Sequence, residues 1–156
     1  MSNQKIPYVC GPLTELPSER REEIKKFYVE IAEICREVFG VRAFVPHEQY
    51  DPKVHSQFSP KEVDDFERQQ VCVNTSVLIV VAEASSWGGG IEVEMAYRSQ
   101  VPIVLLCEKA RLENKKISRL LRGNPGITST IIYDNLSQAK ELLKVELSKN
   151  KNSFQT

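Results

Sequence analysis

Three glycines stand directly before two carboxylates in SSWGGGIEVEMA, residues 85–96. Glycine lets backbone N–H groups come close to an oxyanion, and a helix N-terminus adds partial positive charge. Ser85, Ser86, Gly88, Gly89 and Gly90 ahead of a helix therefore form a cradle suited to phosphate. The run is neither a dinucleotide fingerprint nor a Walker loop, because GxGxxG and GK[ST] are both absent. Glu92 adds chemistry to the cradle. In the first turn of a helix that begins near Gly90, the macrodipole keeps it ionised and fit to act as a nucleophile. Glu94 lies two residues on, about 200° around the helix, and reads as structural. A flexible turn before a packing helix with an ordinary first-turn acid is the plainer reading of the same residues.

Short β-branched runs alternate with longer stretches of helical period around this motif. Ile6–Cys10, Val41–Val45, Ser76–Ala82, Val101–Cys107 and Ile127–Tyr133 read as five strands. Between and after them, helices are expected over Ser18–Phe39, Pro60–Asn74, Gly90–Gln100, Leu112–Leu121 and Leu136–Leu147. Gly40 supplies a C-cap for the first of these. Strict alternation of strand and helix, with strands nearly continuous in apolar character, predicts a doubly wound α/β domain. Its five-stranded parallel sheet is covered on both faces, as in flavodoxin-like and Rossmann-like folds. Residues 1–150 form one domain in this reading, and residues 151–156 a polar, frayed tail. Such sheets bind ligands beyond the carboxyl ends of their strands, which selects GPLTEL (11–16), PHEQYDP (46–52) and EASSWGGG (83–90).

Composition narrows the function classes. The 21 Lys and Arg balance the 21 Asp and Glu, leaving no global field to draw in nucleic acid or an anionic membrane. The longest apolar run, Val77–Ala82, is far too short to span a bilayer. Cys10, Cys35, Cys72 and Cys107 stand singly, without a CxxC pair, and read as free thiols of a cytoplasmic protein. With two histidines and no ligand spacing, no metal site and no cofactor are expected. Trp87 suits stacking on a base or sugar, or a subunit contact. Tyr50 and Phe58, in the long stretch QYDPKVHSQFSP, suit a lid. His47 titrates in the range that serves proton delivery near neutral pH.

YVCGPL (8–13), a long first helix and SWGGGIEVEMAYRSQVPIVLL (86–106) resemble the nucleoside 2-deoxyribosyltransferase superfamily. Within it, the 2′-deoxynucleoside 5′-phosphate N-hydrolases are the most similar branch. The resemblance covers about residues 6–133 and is most specific in the G-x-G-x-E spacing that ends at Glu92. It implies a small-molecule nucleotide or nucleoside as ligand. It also implies a glutamate that attacks the anomeric carbon, a role that falls on Glu92. By the same resemblance Ser86 and Gly88 hold the 5′-phosphate, Tyr8 and Gly11 lie under the sugar, and His47 matches a histidine after the second strand. Thr128 and Ser129 match a segment that reaches into a neighbouring subunit, which implies a homodimer with a shared site.

Two departures stand out. The hydrolases carry serine and arginine in the first loop, where this chain has Pro12 and Thr14. They carry an aspartate late in the helix before the third strand, where this chain has Arg68 and Gln69. Either Asp65 substitutes through a shifted helix, or Arg68 supplies charge to the substrate, or catalysis is lost and the chain senses nucleotides. Transfer of the pentose to a second base is a further alternative to hydrolysis.

Overall fold

The structure, a computed structural model, describes residues 4–51 and 53–155. Residues 1–3 of the expected domain, position 52 in the loop and residue 156 of the tail lie outside the described residues.

The chain runs β1 (Ile6–Cys10), α1 (Ser18–Phe39), α2 (His47–Tyr50), α3 (Pro60–Asn74), β2 (Thr75–Val81), α4 (Trp87–Arg98), β3 (Ile103–Glu108), α5 (Lys109–Glu113), α6 (Arg119–Arg122), β4 (Ile127–Tyr133) and α7 (Leu136–Lys149). The four strands form one parallel sheet in the order β1-β2-β3-β4. β2 and β3 are buried almost throughout, as expected of central parallel strands. One apolar layer lies under α1 and α7, with Phe27, Ile31, Val104 and Leu143 at its centre. A second lies under α3 and α4, built on Leu78, Leu105, Val71 and Ala96.

The sheet has four strands, where the sequence suggests five. The segment 41–45 makes a single parallel bridge, Phe44 to Tyr8, at the free edge of β1. Phe44 N–H donates to Pro7 O at 2.8 Å, and Val9 N–H donates to Phe44 O at 2.9 Å. In a parallel ladder the next rung on either side would need an N–H from Pro7 or from Pro46, and proline has none. The position of the lost strand survives, so β1 and β2 still meet near the middle of the α/β layer.

The four-residue α2 was not expected, α7 runs two residues further, and the largest helix differences lie at α4 and in the segment 109–122. α4 begins at Trp87, three residues before the expected start, because Ser86 caps it: its Oγ accepts from Gly89 N–H at 3.1 Å. The expected helix 112–121 is instead two short ones, α5 and α6. Lys115 between them takes the left-handed conformation at φ 58°, and Ser118 caps a fresh start. α1 and α3 match expectation, α1 ending at left-handed Gly40 and α3 opening with a Ser59/Glu62 capping box and Pro60. The tail expected to fray forms a 3-10 turn over Lys151–Phe154, because Phe154 packs edge-on against Phe39 and is buried.

Candidate active site

The loops after β1 and β2, with side chains of α1, α2, α3 and α4, enclose a pocket of about 270 Å³ at the carboxyl end of β1 and β2. Gly11, Thr14, Tyr28, His47, Glu67 and Glu92 line it, with Ser86 and Gly88 at one end. The floor loop, residues 11–16, is held by α1. Tyr28 hydroxyl donates to Pro12 O at 2.6 Å, and Arg21 donates through Nε to Leu13 O at 3.0 Å and through Nη2 to Leu16 O at 2.9 Å. Gly11 is required here, since a Cβ would lie 2.3 Å from the Tyr28 hydroxyl.

Glu92 is buried at the back of the pocket and accepts a 2.5 Å hydrogen bond from the Tyr8 hydroxyl on Oε1. It is the sixth residue of α4, in the second turn, because the glycines themselves are helical. The expected first-turn placement, and with it stabilisation of the ionised form by the macrodipole, does not hold, since that field fades beyond the first turn. Burial raises the Glu92 carboxyl above its ordinary value, and the Cys10 thiol and Tyr8 hydroxyl beside it oppose the rise. Tyr8 is fully buried and pushed well above the ordinary tyrosine range, first by burial and then by Glu92, so it stays a neutral donor.

The second carboxylate is Glu67 on α3. Burial first, then the nearby Glu92 and Asp64 charges, lift it from 4.5 to about 7. Two carboxylates facing one small cavity cannot both ionise freely, and the one without a donor holds the proton longer. Neither Asp65 nor Arg68 lies in the pocket. Asp65 is exposed and paired with Lys61, and Arg68 is exposed and paired with Asp64 at 2.9 Å. The helix phase explains the correction. Val63, Glu67 and Val71 recur every four residues on the inward stripe of α3, and Asp64, Asp65 and Arg68 fall on the outward side. A carboxylate within that apolar stripe was the readable signal for Glu67.

His47 lines the pocket beside Tyr28, with ring centroids 6.0 Å apart. Its Nδ1 is buried without a partner, and burial and then Lys25 lower its titration point, so it is neutral near pH 7. Tyr50 lies at the mouth, its ring 5.0 Å from Phe58 and 4.9 Å from Phe66. Gly90 turns away from the pocket into a neighbouring groove. Thr128 Oγ1 donates to Ile103 O at 3.1 Å, and neither it nor Ser129, both on edge strand β4, reaches the pocket of its own chain. Glu94 is exposed and pairs with Arg98 at 2.8 Å, as its position on the helix suggested.

The neighbouring groove, about 860 Å³, is lined largely by apolar groups, among them Val80, Val93, Ile117 and Leu121, with Lys116 at its side. Gly11, Ser86 and Gly89 line both hollows. Among the described residues, no cluster of His, Cys, Asp and Glu could hold a metal, all four cysteines are free, and no helix is long and apolar enough to cross a membrane.

This arrangement has close parallels in shape among solved structures. The solution structure of BlsM superposes with a TM-score of 0.67 at 18% identity, over 97% of this chain and 96% of the other. A CMP N-glycosidase of Clostridium botulinum, BcmB, superposes with a TM-score of 0.64 at 19% identity, over 90% and 99% respectively. The chain has their fold. No family model matches the sequence, and no curated protein matches it.

Proposed function

We propose that the protein is an N-glycosidase that splits the base from a nucleoside 5′-monophosphate, with Glu92 as nucleophile. The observation that carries this reading is that Glu92 and Glu67 line one pocket, with the Tyr8 hydroxyl on Glu92 and, among the described residues, no hydrogen-bond donor on Glu67. Unequal environments assign the two roles: the carboxylate with donors is the anion, and the one raised to about 7 is the acid.

In the first step Glu92 attacks the anomeric carbon, the glycosidic C–N bond breaks, and its electron pair leaves on the base nitrogen as the Glu67 proton arrives there. In the second step Glu67 takes a proton from water, the oxygen attacks the same carbon, and the glycosyl–Glu92 ester bond breaks. Free base and pentose 5-phosphate leave, with anomeric configuration retained through two inversions. His47, held neutral, hydrogen-bonds the base and is not the proton donor. No lysine or arginine lines the pocket among the described residues. The phosphate is therefore met by Ser86 and the unpaired N–H groups of the first turn of α4, at the opening towards the groove and Lys116. The sensing alternative rests on Arg68 and Gln69 standing where the family has an aspartate, and Glu67 on the pocket side of α3 favours the catalytic reading over it.

A homodimer is part of this reading, with Thr128 or Ser129 of a partner subunit contributing to the phosphate site. Support comes from the face around the groove, where Trp87 is 91% and Leu120 88% exposed.

The test is a panel of nucleosides and monophosphates, CMP first because the Clostridium botulinum neighbour acts on it. Free base is followed by chromatography, with Glu92→Gln and Glu92→Ala alongside. Base release from a monophosphate, abolished in both variants while the fold is kept, is expected. No free base from any member, or Glu92→Ala within a few fold of wild type, rejects the assignment.

A further inference from the structure

On the opposite face of the sheet from Glu92, another buried carboxylate sits where strand β2 leaves the sheet. Glu83 has a side chain with 0% exposure. Its Oε1 accepts from Arg20 Nε at 2.6 Å and from Arg111 Nη2 at 2.6 Å. Arg20 comes from the first turns of α1 and also pairs with Glu23. Arg111 comes from α5 and lies 3.0 Å from Glu108, the last residue of β3. One carboxylate oxygen thus ties together α1, the exit of β2 and the exit of β3.

The neighbour of Arg20 matters as much. Arg21 holds the carbonyls of Leu13 and Leu16 in the floor loop, and Arg20 holds Glu83, three residues before the cap Ser86. Two consecutive residues of α1 therefore grip the two loops that form the pocket. A carboxylate wholly removed from water costs several kcal/mol unless its charge is met, so the exit of β2 has one favourable position, the one in which both guanidinium groups reach it. Moving that exit would move Ser86 and the start of α4.

We propose that Glu83 is a positioning residue: gripped by Arg20 and Arg111, it fixes the spacing between the loop 11–16 and the loop 82–86, and so the place of the substrate relative to Glu92. The activity arm of this proposal rests on the N-glycosidase reading, and the exchange arm does not. A misplacement of about 1 Å can cost on the order of 100-fold in rate with little change in binding.

Glu83→Gln keeps the shape and removes the charge. It is expected to lower kcat about 10–100-fold with KM changed less than about threefold. It should also speed hydrogen exchange at the amides of Leu16, Gly89 and Gly90 about tenfold or more, with Ala139 of α7 unchanged. Arg20→Gln, at the partly exposed edge of the cluster, should give the same local pattern and serves if Glu83→Gln does not fold. Lys144→Gln is the control, because it breaks only the exposed pair with Glu37 at the far end of α1 and should leave kcat and exchange unaltered. Equal acceleration at Ala139, or no acceleration at Leu16 and Gly89, overturns the proposal. Local acceleration in a protein that releases no base upholds the clamp and rejects the glycosidase.

Discussion

At the scale of single residues, the site turns on a proton shared unequally between two carboxyls. If Glu67 is the acid, kcat/KM should fall as pH rises through about 7, where Glu67 loses its proton. Stability follows from the same displacement. A carboxyl raised from 4.5 to about 7 by folding binds a proton more tightly in the folded than in the unfolded chain. Its contribution is therefore lost progressively as pH rises across that window and stays lost above it. Glu67→Gln removes the titrating group. It should abolish base release yet melt higher than wild type at pH 8, and the advantage should vanish near pH 4. Thermal melts at the two pH values, beside a pH–rate profile, check both halves. A Glu67→Gln protein that is active, or no more stable at pH 8, removes Glu67 from the mechanism.

At the scale of elements, Ser86 serves two ends. It caps α4 through Gly89 N–H and lies where the 5′-phosphate is proposed to sit. Loss of the cap in Ser86→Ala should cost about 1 kcal/mol, a fall of a few degrees in Tm. Loss of a hydrogen bond to a charged group, worth roughly 1.5–3 kcal/mol, should weaken monophosphates about tenfold or more and leave nucleosides nearly untouched. Calorimetric titration of both ligand classes checks this, and equal losses for the two would remove Ser86 from the phosphate site. Elements with strong local signals were legible in the sequence. α1 and α3 carry apolar stripes and clear caps, and their bounds agree. The start of α4 was not legible, because a triple glycine is a poor helix former and only the cap at Ser86 makes it helical. The fifth strand failed because ladder hydrogen bonds depend on two prolines that lie far apart in the chain and meet only when it folds. Glu92, Ser86, Gly11, Thr14 and His47, singled out in the sequence, line one pocket, and Tyr8 is buried behind Glu92; the roles given to them are proposals. Asp65 follows from counting the phase of α3 from the family position; counting from the helix's own apolar stripe turns Glu67 towards the pocket instead.

At the scale of the whole molecule, the two faces of the sheet are unlike. Under α1 and α7 the core is filled, tied by Lys140–Glu30 at 3.0 Å, and closed by Phe154 on Phe39. Both hollows open beside α4, the pocket between it and α3 and the groove between it and α6, with Trp87, Leu120 and Ile91 exposed near the larger one. Exposed apolar side chains collected around an open groove mark an interaction surface. If that surface is the proposed dimer interface, Trp87→Arg should yield a monomer by sedimentation, with base release lost because the shared site is broken. A wild-type chain that sediments as an active monomer at assay concentration would refute the shared site.

The helical glycines of α4 carry one more consequence. An added Cβ at Gly88 or Gly90 would meet no atom within 4 Å. The empty fold therefore has no steric need of either glycine, and each forgoes about 0.8–1 kcal/mol of helix propensity relative to alanine. Gly88→Ala and Gly90→Ala should both raise Tm. What they cost separates the two positions: Gly88 faces the pocket and Gly90 the groove. A thermostable Gly88→Ala that has lost turnover would show that this chain gives up rigidity to keep its backbone bare where a guest must touch it. A thermostable Gly88→Ala at full rate would make the glycine run a spare part.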